Sequence, residues 1–389
     1  VRAILIGGGI GGLAAALALA RRGVSVTVLE RSPVLGEAGA GLQLGPNATR
    51  VLFGLGLREP LLARAFMPEA AEIRAASDQR LLLRTALGAS AEDRWGAPYL
   101  QLHRADLQAL LHEAALAAGC QVRLGAKVVG LEQDDVRVRV IVSDAGVIEA
   151  DFAVGADGVR SGVRQRLFGA EAPRFTGQVA WRGMVATDRL PPGAVPPVAG
   201  IWAGPGRHFV HYYVRGGEAV NFVGVVERDW REESWTEPVD PRDLQADFAG
   251  WPAGVTAICA AATTPFRWAL FDRPPLPAWT RGRVTLLGDA AHPMLPFLAQ
   301  GAAMAIEDAA VLAHRVAGTP DLPEALRAYA QDRRPRTSRV QAASRFNARL
   351  FHLPMAVGRA AFAAAGVVDR LNPGGTAARF DWLYGYKAP

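Results

Sequence analysis

Lysine is nearly absent from this chain. Of its 43 basic residues only two are lysine, Lys127 and Lys387; the rest are arginine. The arginines are scattered, although the formal net charge is +6. A nucleic-acid groove gathers its charge on one face, so nucleic acid is not an expected partner, whereas anionic small molecules are. Cysteine is also scarce. Cys120 and Cys259 form no C-x-x-C pair and no metal-ligand spacing, which argues against disulfide stapling and a metal site, and makes a reducing cytoplasm the expected compartment. No apolar run reaches the roughly 18 residues of a membrane span. Repeats and low-complexity tracts are missing, and no G-x-S-x-G elbow suggests a serine hydrolase. What the chain does have is size and punctuation. Its 389 residues are half apolar, broken by 42 glycines and 26 prolines, enough for two domains and a large core.

The first thirty residues read as strand, turn, helix, strand. "RAILI" is a short apolar strand, and Gly7-x-Gly9-x-x-Gly12 follows at once. Leu13, Leu17 and Ala20 share one face of the helix after it, Gly23 ends that helix, and "VSVTVLE" alternates into a second strand closing on Glu30. Each glycine has a task. The first permits the tight turn, the second lets the backbone approach a pyrophosphate, and the third packs helix on strand. The helix N-terminus offers unpaired N–H groups to phosphate, and Glu30 suits a ribose diol. Residues Gly7, Gly9, Ile10, Gly11, Gly12, Glu30 and the adjacent Arg31 are therefore the expected dinucleotide contacts. FAD and NAD are equally allowed by this motif alone.

The next segment, "LGEAGAGLQLGPNATRV", reads as a loop through Gly39, Gly41, Gly45 and Pro46, then a helix capped near Asn47. Gln43 and Leu44 lie in that loop, read as the wall of a flat ligand. Arg104 precedes a helix whose start is marked by Asp106, and can reach a phosphate or a ribityl chain. Residues 128–155 read as a β-meander and a strand running into Asp157-Gly158, with a helix from about Ser161. Strands "QVAWRGMVA", "RHFVHYYV" and "AVNFVGVV" come next, the last two joined at Gly216-Gly217. A last strand, "VTLL", feeds "GDAAHPMLPFLAQG" and a helix from Gln300-Gly301-Ala302.

Three motifs now stand in order: Gly7-x-Gly9-x-x-Gly12 with Glu30; Asp157-Gly158-x-x-Ser161-x-x-Arg164; and Gly288-Asp289-Ala290-Ala291-His292-Pro293. Together they resemble the single-component FAD-dependent aromatic hydroxylases of the p-hydroxybenzoate hydroxylase type. "GAGLQLGPNA", "VAWRGMV", "HPMLPFLAQGAAMAIEDA" and "RFDWLYGY" resemble the salicylate and 3-hydroxybenzoate hydroxylase branch, and the likeness covers nearly the whole chain. It implies a flavin-dependent monooxygenase that uses FAD, NADH or NADPH as transient reductant and O2 as co-substrate. A small phenolic or hydroxybenzoate-like substrate would be hydroxylated through a flavin C4a-hydroperoxide. It also implies Val128, Gln43, Leu44, Arg104 and Asp157 as further FAD contacts, Asp289 on the ribityl chain, and the helix start at Gly301 and Ala302 facing the flavin. Pro293, Pro296 and Phe297 would form a wall against flavin and substrate. Ala299-Gln300-Gly301 departs from the family's common Gly-Gln-Gly. Other substrates of the same fold are a urate-like heterocycle, a polyketide antibiotic or an alkene; a flavin-binding protein without catalysis is the remaining alternative.

A phenol needs a base, and histidine suits neutral pH. On "RHFVHYYV", His208, Val210 and Tyr212 share one strand face while Phe209, His211 and Tyr213 share the other. The resemblance favours His208 and Tyr212 as the catalytic pair, with His211 and Tyr213 as alternative substrate contacts. His103, His112, His314 and His352 read as surface or packing residues, and His292 as structural. The expected fold is α/β: a Rossmann-like FAD-binding domain (1–72, 99–174, 270–330) interleaved with a mixed β-sheet substrate domain (73–98, 175–269), plus a C-terminal helical segment (331–389). A monomer or homodimer is expected.

Overall fold

The computed structural model describes residues 1–36, 40–143, 145–231, 239–353 and 375–389. Two sheets organise it. The first has six strands in the order Thr280–Arg281, Val284–Leu286, Phe152–Gly155, Arg2–Ile6, Ser25–Leu29, Gln121–Arg123, all parallel except the hairpin at its edge. Its central strands are continuous apolar runs because a parallel sheet is covered on both faces. Helix Ile10–Ala20 leads out of the central strand and packs closely on helix Gly301–Gly318. That approach needs small residues: a Cβ on Gly11 would stand 3.0 Å from the Cβ of Ala305. A three-stranded antiparallel sheet over Val128–Ala150 is the expected meander.

The second sheet has seven strands, ordered Phe266–Asp272, Arg174–Ala186, Ala219–Glu227, Arg207–Val214, Ala199–Gly204, Ala70–Ala75, Leu81–Ala86. Alternation along its strands splits two apolar layers. Trp181, Phe209 and Phe222 pack with Phe248 and helix Ala253–Ala261 on one face. Ala180, Val225 and Trp268 pack with Leu295, Phe297 and Phe351 on the other. Strand Ala70–Ala75 straddles the expected boundary at 72/73 and Phe266–Asp272 the one at 269/270, so a division by sheet falls before Ala70 and after Asp272. The supposed loop around Gln43 is a strand, Gly41–Leu44, paired with Leu100–His103. Gly39 lies outside the described residues. Asn47 is inside the next helix, Pro46–Gly54, whose cap is Gly45.

One long helix, Leu322–Leu350, runs across the expected 330/331 boundary. Its face carries Gln341, Ser344 and Asn347 at three-residue spacing. They donate to the carbonyls of Pro293 (2.8 Å), Leu295 (2.7 Å) and Phe297 (3.0 Å). Three side chains on one helix stripe thus hold the whole Pro293–Phe297 segment, which enters a short 3-10 turn at Pro296–Leu298.

The same helix closes a buried ionic network. Arg333 donates to Asp308 (2.6 Å) and Glu307 (2.7 Å), and all three side chains are fully buried. Arg336 adds two bonds to Glu307. Asn47 bonds Glu307 at 2.6 Å, while His292 and the backbone N–H of Gly288 bond Asp308 Oδ2 at 2.6 and 3.1 Å. Burial would push the Asp308 carboxyl up, but the His292 and Arg333 charges and their hydrogen bonds outweigh it and hold it at about 2. A depressed carboxyl stabilises the fold above the ordinary carboxylate range, and that contribution is lost as pH falls toward about 2. Arg333→Met removes the shared cation, leaving Glu307 to Arg336 and Asn47, and buried Asp308 to His292 and one backbone N–H. It should cost about 3–5 kcal/mol in urea unfolding at neutral pH and shift acid unfolding to higher pH; a loss below 1 kcal/mol would show that the network is not cooperative.

Candidate active site

The first strand ends at Ile6, and the chain turns through Gly7 at φ +115°, a value suited to glycine. A Cβ there would stand 2.3 Å from the Ala156 carbonyl oxygen, and one on Gly12 would stand 2.0 Å from the Gly7 oxygen. Gly9 differs, because a Cβ on it would meet nothing within 4 Å. The first and third glycines thus serve packing, while the second borders open space. The helix beginning at Ile10 has neither a side-chain cap nor an acid in its first turn, so its N–H groups remain open to an anion. Glu30 stands beside them. Its Oε2 accepts from Gly8 N at 2.6 Å and its Oε1 from Ser32 N at 2.8 Å. Arg31 is exposed next to it.

Asp157 follows strand Phe152–Gly155. Its carboxylate accepts from Ser161 Oγ and Val163 N, capping helix Gly162–Phe168, which Ser161 also caps through Arg164 N. Arg164 is buried, reaching the Ala290 and Ala291 carbonyls at 3.4 Å and Glu171 at 2.5 Å. The Asp157 motif is therefore joined directly to the Gly288–Pro293 turn. There Asp289 is exposed just beyond strand Val284–Leu286, and a Cβ on Gly301 would lie 3.9 Å from its Oδ1. The acid and the start of helix Gly301–Gly318 are thus neighbours. That helix again lacks an acid in its first turn and a side-chain cap, and the buried Gln300 Nε2 has no hydrogen-bond partner. Ala299 sits at φ +51°. Alanine in place of the family's glycine thus carries a strain of about 1–2 kcal/mol.

Gly41 ties the two-stranded pair Gly41–Leu44 and Leu100–His103 to the second sheet. Its N–H donates to Asn221 Oδ1 at 2.7 Å and its carbonyl accepts from Arg182 at 3.3 Å, both from the second sheet. A Cβ on Gly41 would stand 2.7 Å from Tyr212 and from Asn221. On the same strand Gln43 Oε1 accepts from Tyr99 Oη at 3.0 Å, and Leu44 is fully buried. Arg104 opens helix Arg104–Ala117, and Val128 starts its own strand.

Tyr212 and His208 share the face of the second sheet that carries Phe297. The His208 ring lies 5.4 Å from Phe297 and 5.3 Å from Phe351. Burial and the neighbouring His352 hold its pKa well below the usual histidine value. Burial pushes the Tyr212 hydroxyl up to about 12. Pro293 is buried and Pro296 exposed, on either side of Leu295. His211 and Tyr213, read as alternative substrate contacts, are placed on the opposite face. His211 packs on Gly200 with Glu72 near it, and Tyr213 donates to the Val195 carbonyl at 2.8 Å and packs, tilted, against Phe66. Strand alternation makes the two pairs exclusive, so both cannot serve one pocket. His292 is bonded to Asp308, as its structural reading anticipated. His352, read as packing, is instead 2.7 Å from His208. Its isolated position on a helical segment carried no signal of that pairing.

Comparison with known proteins separates the dinucleotides. A family model described as an FAD binding domain matches residues 1–344. The chain belongs to the single-component FAD-dependent aromatic hydroxylases. It is 42% identical over 392 residues to a 3-amino-4-hydroxybenzoate 2-monooxygenase of Streptomyces platensis, covering 100% of this chain and 96% of that one. A 3-hydroxybenzoate 6-hydroxylase of Polaromonas naphthalenivorans is 38% identical, with 98% and 95% covered. Among solved structures, a salicylate hydroxylase substrate complex superposes with a TM-score of 0.82 at 29% identity, covering 100% and 96%. The protein is thus a flavin-dependent monooxygenase, related to the 3-hydroxybenzoate and salicylate hydroxylase branch. The residues present fit FAD: open space at Gly9, two helix starts without a side-chain cap and a buried Gln300 Nε2 without a hydrogen-bond partner leave donors free for an anionic, polar cofactor.

Gly9 and Gly12 make opposite predictions. Gly9→Ala should fold within about 1 kcal/mol of the parent yet purify without FAD. Gly12→Ala should lose folding stability first, because its methyl has no room. Thermal unfolding and the flavin-to-protein absorbance ratio measure both; a Gly9→Ala protein with full FAD would remove the cradle.

Proposed function

We propose that this enzyme hydroxylates a small phenolic aromatic, of the hydroxybenzoate or aminohydroxybenzoate kind, with NADH or NADPH as reductant and O2 as co-substrate. The substrate class follows the relatives, which act on such rings by name. The observation that carries the mechanism is a neutral, buried histidine, His208, set beside an apolar wall on the sheet face shared with Tyr212. Bound FAD supplies electron storage and oxygen activation; the protein supplies position, dryness and a proton acceptor. The Gly7–Gly12 cradle and Glu30 are proposed to hold the ADP half. Asp289 takes ribityl hydroxyls, and the helix start at Gly301 and Ala302 stabilises negative charge on the reduced ring, by about 0.3–1 kcal/mol and up to ~2 where partly buried. Arg31, Gln43, Leu44, Arg104, Val128 and Asp157 complete the proposed cofactor contacts.

Pro293, Leu295 and Phe297 keep water from the reacting face. Their carbonyls are taken by Gln341, Ser344 and Asn347, so the wall presents few free polar groups. His208 accepts the phenolic proton, leaving a ring rich enough in electrons to attack an electrophilic oxygen. Its depressed pKa keeps it unprotonated through the neutral range, which is the state a base needs. Tyr212, with its hydroxyl held protonated, donates a hydrogen bond to the phenolate oxygen. Cys120 and Cys259 are both buried free thiols, which supports a reducing, cytoplasmic setting, and no described helix is long and apolar enough to cross a membrane.

His208→Ala should retain FAD and reduction by nicotinamide but lose hydroxylation by about 10²-fold or more, releasing hydrogen peroxide instead. Product formed per NAD(P)H oxidised measures this, and undiminished coupling in the variant would remove His208 from the base role.

A further inference from the structure

A base buried on a sheet face must pass its proton on. His208 is 2% exposed and makes one hydrogen bond that leads outward, from Nδ1 to His352 Nε2 at 2.7 Å. His352 follows the long helix Leu322–Leu350, and its own side chain is 3% exposed. Its other nitrogen, Nδ1, is 2.8 Å from Glu227 Oε1, at the end of strand Ala219–Glu227. The Glu227 side chain is 54% exposed. It lines a cleft with Thr176, Gly177, Gln178, Arg349 and His352. Three side chains from three elements thus run from the wall to the surface.

The direction of the hydrogen bonds follows from chemistry. A carboxylate only accepts, so His352 Nδ1 donates to Glu227. A neutral imidazole has one donor and one acceptor, so His352 Nε2 accepts. His208 Nδ1 must then donate, and His208 Nε2 is left as the acceptor. The Gln178 amide nitrogen Nε2 also lies 3.3 Å from His352 Nδ1; since the one N–H at Nδ1 goes to the closer Glu227 carboxylate, the amide is to be turned so that its oxygen faces the ring. The carboxylate at the surface therefore sets the tautomer that makes the buried histidine a base.

We propose that His352 and Glu227 form a proton relay between His208 and solvent, an inference that rests on His208 being the base. As the substrate O–H breaks, an N–H forms at His208 Nε2. The His208 Nδ1 proton passes to His352 Nε2, and the His352 Nδ1 proton passes to Glu227 or to water in the cleft. One proton leaves the substrate and one reaches solvent, and no electrons move between the histidines. When the hydroxylated product takes back a phenolic proton, the same steps run in reverse and restore both tautomers. Neither His352 nor Glu227 touches substrate.

The test compares wild type, His352→Gln and Glu227→Gln holoenzymes across pH 6 to about 9, with the hydroxybenzoate that a substrate screen shows to be turned over with best coupling. Glutamine keeps hydrogen bonds but cannot relay a proton. His352→Gln should lower the hydroxylation kcat by about 10²-fold with KM and bound FAD retained, and imidazole added to His352→Gly should restore rate in proportion to its concentration. The groups facing His352 are Glu227, His208 and Gln178, with Arg349 on its own segment. Burial lowers the His352 pKa and Glu227 raises it, so Glu227→Gln should move the acid limb of the kcat profile to lower pH. A purely structural role would move stability and not that limb. If His352→Gln fails to hold FAD, Glu227→Gln at its half-exposed site decides alone. Wild-type kcat and pH profile in both glutamine variants, with His208→Ala inactive, would overturn the relay and keep the base. Wild-type hydroxylation by His208→Ala would overturn both.

Discussion

The buried cluster of Glu307, Asp308, Arg333 and His292 is the constraint on which the site depends. Two carboxylates adjacent in sequence point into the protein from helix Gly301–Gly318; Arg333 from the next helix bridges both, with Arg336 also on Glu307 and His292 on Asp308. Replacing a whole buried ion pair by apolar residues is often neutral or stabilising, whereas removing one partner alone is costly. What this cluster obtains is position. Asp308 holds the Gly288 amide and the His292 ring, so the turn bearing Asp289 is tied to the helix it must face. Glu307 holds Asn47, which also reaches Gln300 at 3.0 Å, so the strand-to-helix corner after Leu44 is tied to the same point.

From that anchor the arrangement spreads along the long C-terminal helix. Arg333 and Arg336 bind the carboxylates; about one to three turns on, Gln341, Ser344 and Asn347 hold the Pro293–Phe297 wall; at the end, Phe351 and His352 reach His208. One element therefore positions the proposed flavin-side helix start, the Pro293–Phe297 wall and the proposed base. Gly41 ties its own strand pair to the second sheet, and its lack of a side chain is what lets Tyr212 and Asn221 approach. Function follows from registration between two sheets that are far apart in sequence.

How much of this was legible varied with range. The cradle was, because strand, glycines and helix lie within about twenty residues and each glycine has a local cause. The alternation that separates His208 and Tyr212 from His211 and Tyr213 was also legible, though not which face meets the wall. That choice is made by Phe297, ninety residues on. Strands Ala70–Ala75 and Ala199–Gly204 went unread because alanine and glycine carry little strand preference, and pairing with neighbours creates them. Gln43 read as loop for the same reason, since its partner, Gln101, is remote. The role of Gln341, Ser344 and Asn347 was hidden, as polar residues at helical spacing usually face water. His352 was read as packing because a single histidine does not reveal which chain lies opposite.

The central claim is that these parts make an enzyme that couples oxygen to a phenolic ring. The most direct measurement is oxygen uptake by the purified FAD-loaded protein with NADH or NADPH, across a panel of hydroxybenzoates, aminohydroxybenzoates, 6-hydroxynicotinate and urate, with peroxide scored alongside. The account predicts that at least one phenolic acid accelerates oxygen uptake and yields one hydroxylated product per oxygen consumed, with little peroxide. Coupled turnover of urate alone, or oxygen uptake that no ring compound stimulates, would contradict it.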